Sequence, residues 1–251
     1  MKKTKMTLAE LPEYVRTEMM KNANTQKWGF GWPHELRLRK NLDVLLACCE
    51  MDEQMVRMLK VSIWMHDIRR DKMSGHEKAA AELFKTLEIE GLDREETEMI
   101  CYAIQNHGRG PERLAAGETV PRREELLRWL ILLDRMDSMY LRSVLKTIQY
   151  QLIVEKRMDA LSGFPAARLR KILARGEYVV LVDDRYLREE SYLGRMLSDY
   201  LTVKALVDLM RPQLGEEFIK TINEGETRAI IEWMIDFQEE NEKSFTEPIV
   251  F

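Results

Sequence analysis

The chain has 251 residues, with 39 lysines and arginines against 43 aspartates and glutamates, which gives a formal net charge of −4. A general nucleic-acid binder needs a basic surface to displace counterions, so this balance argues against nucleic acid as a partner. No segment approaches the roughly 18 consecutive apolar residues of a membrane span, and residues 1–15 lack the apolar core of a signal peptide. We therefore expect a cytoplasmic protein that does not contact the membrane.

The first predicted elements are a helix over residues 7–21 and a loop over residues 22–33. Aromatic residues of this loop either line the mouth of a pocket or pack beneath the loop, and both readings stay open; they are Trp28, Phe30 and Trp32. The three cysteines, Cys48, Cys49 and Cys101, have no zinc-finger spacing, and we predict reduced thiols in the core.

The next two predicted helices each carry a histidine on their apolar face. Leucines follow His34 at four, eight and eleven residues, which places His34 on the inner face. In residues 56–71, Leu59 and Ile63 share the face of His66, and we place Asp67 on the same helix. An aspartate after such an apolar run is costly to bury unless a cation or a hydrogen-bond donor meets it.

Two further histidines mark the ends of helices. Ser74 and Glu77 have the spacing of a capping box, and we expect the helix that His76 opens to continue on one face through Ala80, Leu83 and Leu87. Asp93 and Glu96 predict the start of another helix, whose inner stripe leads to His107 before a GRGP segment ends it.

A sixth helix is predicted after Pro121, with an apolar face through Leu127, Leu130 and Ile131 that also carries Asp134. Beyond Tyr150 the sequence contains no histidine. It predicts one strand at residues 177–184, paired either with residues 248–251 or with a second subunit, and two helices over residues 191–210 and 225–241. We therefore expect an all-α fold in which residues 1–150 form a metal-binding domain and residues 151–251 a helical extension packed on it.

The six polar residues on these inner faces are predicted metal ligands: His34, His66, Asp67, His76, His107 and Asp134. A single inward histidine is more often a hydrogen-bonded core residue than a ligand. Six such residues on five successive helices, with no histidine elsewhere, favour a metal site, because imidazole and carboxylate together suit iron, manganese and zinc.

In their order, His34, the His66–Asp67 pair and Asp134 resemble the motif of the HD-domain metal-dependent phosphohydrolases. The local contexts are similar too: MHDIRRD resembles the HDxxK/R region of that family, SGHEKAAAEL its GHxxxGAEL-like helix, and LLDRMDSM its terminal DxxD segment. The resemblance covers residues 25–145 and implies a helical HD-domain bundle. It is specific for the superfamily and carries little information about the substrate.

The resemblance implies two divalent ions, with Asp67 as their bridge and with His76 and His107 completing the second site. Iron or manganese is expected first, with magnesium, cobalt, nickel and zinc as alternatives. Asp67 and His107 are the expected catalytic residues. One departure concerns Asn106, since several binuclear members carry two adjacent histidines where this chain has Asn106 and His107. Asp137, one turn beyond Asp134, is expected to support a ligand rather than to be one.

Basic residues near the predicted ligands suit a phosphate group, because guanidinium groups bind phosphate through paired hydrogen bonds; they are Arg37, Arg69, Arg70, Lys72 and Arg109. We therefore expect hydrolysis of a small phosphorylated substrate, such as a nucleotide, by water activated at the metal. Two alternatives remain, a di-iron oxygenase with the same ligands and a nucleotide-binding regulatory module with little turnover. A monomer and a homodimer are both compatible with the sequence.

Overall fold

The computed structural model describes residues 3–21, 31–70, 75–109, 114, 120–138, 170–171, 173–174, 192–222 and 224–241. These residues confirm the predicted all-α fold. The helices are α1 (Leu11–Met20), α2 (Trp32–Cys48), α3 (Glu53–Met65), α4 (His76–Phe84), α5 (Arg94–Asn106), α6 (Arg122–Ser138), α7 (Tyr192–Met210), α8 (Glu216–Thr221) and α9 (Glu224–Asn241), and the strands are β1 (Thr4–Met6) and β2 (Leu87–Ile89).

Helix α6 lies at the centre of the described fold, in contact with α2, α3, α5 and α7. Residues 126–133 are buried without interruption, as expected for a helix that is covered on all sides. Its neighbours have a single buried stripe, such as Leu38, Leu42 and Leu45 in α2. The side chains of the predicted metal ligands on α2 and α6 therefore face each other across the core.

Helix starts follow the capping rules where the sequence supplies a cap. The Asp52 side chain accepts a hydrogen bond of 2.8 Å from the Met55 amide and begins α3. At α5 the predicted capping box is confirmed, because Asp93 accepts from the Glu96 amide and the Glu96 side chain accepts from the Asp93 amide.

The predicted boundaries of two helices are wrong. Helix α3 ends at Met65, and His66–Arg70 form tight turns in which the Arg70 amide donates to the Asp67 carbonyl at 2.9 Å. Helix α4 begins after Gly75 with no side-chain cap, and Ser74 lies outside the described residues. It also ends before Leu87, which belongs to β2 instead.

The two strands pair in parallel, with Thr4 opposite Leu87 and Met6 opposite Ile89. Leu87 and Ile89 point into the core while Glu88 is exposed, so this short strand has the alternation of a half-buried sheet. Lys5 and Glu88 form an exposed ion pair of 2.9 Å across the strands. The pairing joins the segment before α1 to the connection between α4 and α5.

The helices after residue 191 share the core of the preceding ones. Val203, Leu206 and Phe218 belong to the same buried cluster as the leucines of α2 and α6. At the junction, a Cβ atom on Gly215 would lie 2.5 Å from the Cys48 carbonyl oxygen, so the two segments approach more closely than any side chain at this position permits. The predicted domain boundary at residue 150 lies outside the described residues and stays a prediction.

Among the described residues, no helix combines the length and the apolarity that a membrane crossing requires. The three cysteines are free thiols, with Cys49 and Cys101 buried. Trp32 stacks on Trp64 with ring centroids 5.2 Å apart, whereas Trp28 and Phe30 lie outside the described residues. The strand predicted at residues 177–184 and its proposed partner at 248–251 also lie outside them.

Candidate metal centre

The start of α2 sets the position of the first candidate ligand. Gly31 has φ 85° and ψ −135°, a conformation that glycine adopts without strain, and its carbonyl accepts hydrogen bonds from the His34 and Glu35 amides at 2.9 and 3.1 Å. His34 therefore lies in the first turn. His66 follows α3, His76 opens α4, His107 follows α5, and α6 carries Asp134.

One group of candidate ligands joins α2, the end of α3, and α6. His34, His66 and Asp134 offer ligand atoms that all lie within 4.8 Å of one another. Asp134 Oδ1 is 3.1 Å from His34 Nε2 and 3.7 Å from His66 Nε2. Both imidazoles thus direct the same nitrogen at the same carboxylate oxygen.

A second group shares His66 with the first. His66, Asp67 and His107 again offer ligand atoms within 4.8 Å of one another. Asp67 Oδ1 is 3.6 Å from His107 Nε2 and 3.2 Å from His76 Nε2, whereas Asp67 Oδ2 is 3.9 Å from His66 Nε2. The two oxygens of Asp67 therefore face different sets of imidazole nitrogens.

Backbone carbonyls fix two of the imidazole rings. The Nδ1 atoms of His66 and His107 donate to the carbonyls of Ile63 and Ile104 at 2.8 and 2.7 Å. A carbonyl only accepts, so the proton is on Nδ1 and the lone pair of a neutral ring is on Nε2. Nε2 of His66 is buried without a hydrogen-bond partner among the described residues, which is the state of a ligand nitrogen.

A carboxylate instead of a carbonyl holds His34. Its Nδ1 lies 2.8 Å from Asp137 Oδ2, and Arg37 donates to both oxygens of Asp137, from Nε at 2.7 Å and from Nη2 at 2.8 Å. The structure therefore places Asp134 at Nε2 of His34 and Asp137 behind the ring. Arg37, expected to bind phosphate, contacts Asp137.

Burial and nearby charges act in opposite directions on the pKa values of this cluster. Burial alone would lower the pKa of His66, but the carboxylates of Glu35 and Asp67 outweigh it and raise that pKa to about 9. Burial would likewise raise the pKa of Asp67, yet Arg70 and His66 hold it well below its ordinary value. The carboxylates thus favour protons on the buried imidazoles, and a divalent cation can replace those protons.

Arg70 lies over the outer part of this cluster. Its Nη1 is 2.8 Å from His76 Nε2 and 3.5 Å from Asp67 Oδ1. A guanidinium only donates, so His76 Nε2 accepts this bond. Arg70 thus occupies the side of His76 that a metal ion between His76 and Asp67 would need.

The other basic residues predicted near the site have different positions. Arg69 is partly buried, and its charge acts on the hydroxyl of Tyr14 in α1. Arg109 donates to the Tyr102 hydroxyl at 3.1 Å, and Tyr102 in turn donates to Glu124. Lys72 lies outside the described residues.

Two residues of the site were not predicted from the sequence. Glu35 is fully buried, with Oε1 3.6 Å from His66 Nδ1, and burial raises its pKa to about 7. A sequence signal was present, because Glu35 precedes Leu38 by three residues and Leu42 by seven and so shares their helical face. Arg135 lies with Nε 4.0 Å from Asp134 Oδ2 and donates to Asp199 of α7 at 3.0 Å, which links the cluster to the helices after residue 191.

The buried histidine and aspartate clusters could hold a metal ion. A separate cleft of about 590 Å³ between α1 and α3 contains none of the six candidate ligands, so its size alone does not make it the reactive site. No family model matches the sequence, and neither a curated protein nor a solved structure matches it.

Proposed function

We propose that this protein is an HD-type metal-dependent phosphohydrolase that acts on a phosphate ester or a nucleotide. The observation that carries this proposal is the position of Asp67, whose two oxygens face different imidazole nitrogens. A carboxylate in that position suits the bridge between two divalent ions, of which iron and manganese fit a site of imidazole and carboxylate ligands.

The six candidate ligands divide into two sets around this bridge. His34, His66 and Asp134 with Asp67 Oδ2 would hold one ion, and His76 and His107 with Asp67 Oδ1 would hold the other. Two such ions polarise a phosphoryl oxygen and lower the pKa of a bound water. The second set depends on Arg70, which has to leave His76 Nε2 before an ion can bind there.

The protein's own cations support a phosphate substrate over the oxygenase alternative. Arg70 is the basic side chain that lies directly on the candidate ligands, and once displaced from His76 it can donate two parallel hydrogen bonds to a phosphate group. Phosphate binding by Arg69, Lys72 and Arg109 stays a prediction. We propose a nucleotide in the cytoplasm as the substrate class, and we expect neither nucleic acid nor a membrane as a partner.

The first test is the metal content of protein that was purified without added metal and without a histidine tag, followed by release of inorganic phosphate from a panel of nucleotides and phosphate esters. We expect about two ions of iron or manganese per chain and metal-dependent phosphate release. Asp67→Asn should remove both, because it alters the bridging ligand. Asp43→Asn, an exposed aspartate on α2, is the matched control and should change neither.

Different results would lead to different functions. Oxygen uptake without phosphate release would favour the di-iron oxygenase. Tight nucleotide binding with no turnover would favour the regulatory module. Full phosphate release by Asp67→Asn would contradict the metal centre itself.

A further inference from the structure

Glu35 is a buried carboxylate that the proposed reaction does not use. Its side chain is fully buried, and neither oxygen has a hydrogen-bond donor among the described residues. Folded proteins pair nearly all buried polar groups, and an isolated buried carboxylate is among the most unfavourable exceptions. A buried carboxylate of this kind indicates a role other than stabilising the fold.

The nearest charged partner of Glu35 is His66. Oε1 of Glu35 lies 3.6 Å from Nδ1 of His66, the nitrogen whose proton is also directed at the Ile63 carbonyl. Nε2, the nitrogen directed at Asp134, is on the opposite side of the ring. Glu35 therefore lies behind the imidazole, on the side away from the candidate ions.

This arrangement repeats at the neighbouring histidine. Asp137 lies behind His34 at 2.8 Å from Nδ1, so both imidazoles of the first set have a carboxylate on that side. At His107, the Nδ1 atom instead donates to the Ile104 carbonyl. A carboxylate behind a histidine ligand makes the ring more basic and stabilises the positive charge that it acquires when Nε2 binds a cation.

We infer that Glu35 is a positioning residue that strengthens metal binding at His66 and lowers the stability of the metal-free protein. The inference rests on the metal centre proposed above. Without an ion, the buried carboxylate has no hydrogen-bond donor among the described residues and is unfavourable, and its charge becomes favourable when a divalent cation binds on the far side of the ring. Replacing the charge should therefore shift metal affinity and metal-free stability in opposite directions.

The test is a titration of the full chain with Mn²⁺, followed by the electron paramagnetic resonance signal of free Mn²⁺, together with thermal unfolding in a chelator. Glu35→Gln keeps the shape and removes the charge. We expect its affinity for one Mn²⁺ to fall about 10- to 100-fold, while its unfolding midpoint in chelator rises by a few degrees.

Glu96→Gln is the matched control, because Glu96 is also a buried helical carboxylate but pairs with Arg57 and caps α5. It should lower the midpoint and leave Mn²⁺ affinity unchanged. Unchanged Mn²⁺ affinity in Glu35→Gln, or a lower midpoint in chelator, would overturn the inference. Mn²⁺ binding without phosphate release in the unmodified protein would refute the proposed hydrolase alone, whereas no Mn²⁺ binding at all would overturn both.

Discussion

His34 is held by Asp137, and Asp137 is held by two hydrogen bonds from Arg37. The carboxylate fixes the tautomer and the orientation of the ring, so that Nε2 faces Asp134. Residues in this role contribute to metal affinity without touching the ion.

We predict that Asp137→Asn weakens Mn²⁺ binding by about 10- to 100-fold, because the amide cannot supply the negative charge behind His34. Equilibrium dialysis against Mn²⁺ measures this change. Asp208→Asn, an exposed aspartate on α7, should bind Mn²⁺ as the unmodified protein does. Equal affinity in both variants would show that Asp137 does not support the site.

Arg70 leads to a prediction with two opposite effects. Arg70→Ala removes the donor from His76 Nε2, so the second ion should bind more tightly than in the unmodified protein. Inhibition by inorganic phosphate should weaken about tenfold or more, since a charged hydrogen bond contributes roughly 1.5–3 kcal/mol. Stoichiometry by Mn²⁺ titration and a phosphate inhibition series measure the two effects. Weaker binding of the second ion would show that Arg70 supports that site instead of competing for it.

For individual residues, the sequence identified the candidate ligands more successfully than the contacts between side chains. His34, His66 and Asp134 stood out because polar side chains interrupt apolar stripes, and the structure brings these three together. Glu35 did not stand out, because a glutamate in a first helical turn is ordinary and its burial depends on α3 and α6. The contact of Arg70 with His76 depends on turns that have no periodic pattern.

At the scale of elements, α5 is the clearest case of a locally encoded helix. Its start combines a capping box with an ion pair between the buried Glu96 and the partly exposed Arg57. Its C-terminal end concerns the candidate site, since His107 follows directly after Asn106.

We predict that Asp93→Ala lowers the free energy of unfolding by about 1 kcal/mol, because the Glu96 amide loses its acceptor. Urea denaturation measures the loss. Glu95→Ala, an exposed first-turn residue outside the capping box, should cost only a few tenths of a kcal/mol. Equal losses in both variants would assign the effect to first-turn charge and not to the cap.

The two strands are elements that the sequence pattern did not predict. Three residues are too few for a detectable alternation, and Leu87 continues the helical spacing of Ala80 and Leu83. Only the distant partner β1 shows that Leu87 is in a strand. The early end of α3 has a similar origin, because the turn at Asp67 directs its Oδ1 atom at His76 and His107, which belong to other elements.

For the whole molecule, the charge of the candidate site governs how stability depends on pH. The folded-state pKa of His66 is raised from 6.5 to about 9, and that of Glu35 from 4.5 to about 7. Groups with raised pKa values bind protons more tightly in the folded state. Their contribution to the free energy of unfolding is complete at pH values below the pKa of the unfolded state. It is lost as the pH rises through the pKa of the folded state.

We therefore predict that the metal-free protein loses on the order of 2 kcal/mol of stability between about pH 5 and pH 9. Below about pH 4 the lowered pKa values of Asp67 and Asp134 produce a second loss as these carboxylates are protonated. Urea unfolding in chelator across this range measures both. With Mn²⁺ the alkaline loss should disappear, because fewer protons compete for the imidazoles. A metal-free protein that gains stability from pH 6 to pH 9 would contradict the assignment.

The helices after residue 191 could be predicted as elements but not as parts of the core. The sequence predicted that they pack on the preceding domain, whereas the contact of Gly215 with Cys48 and the bond from Arg135 to Asp199 join residues remote in sequence. Such pairs have no local signature.

The parallel pairing of β1 with β2 also affects how the protein folds. The paired residues are about 80 positions apart along the chain, and closing a loop of that length costs about 4 kcal/mol of chain entropy. The hydrogen bonds of three residue pairs cannot offset this cost alone. The strand pair must therefore form after the helices have brought its two ends together, and it should open first. In native-state hydrogen exchange, the Glu90 amide, which donates to Met6, should exchange through this local opening while the amides of α6 remain protected until the whole molecule unfolds.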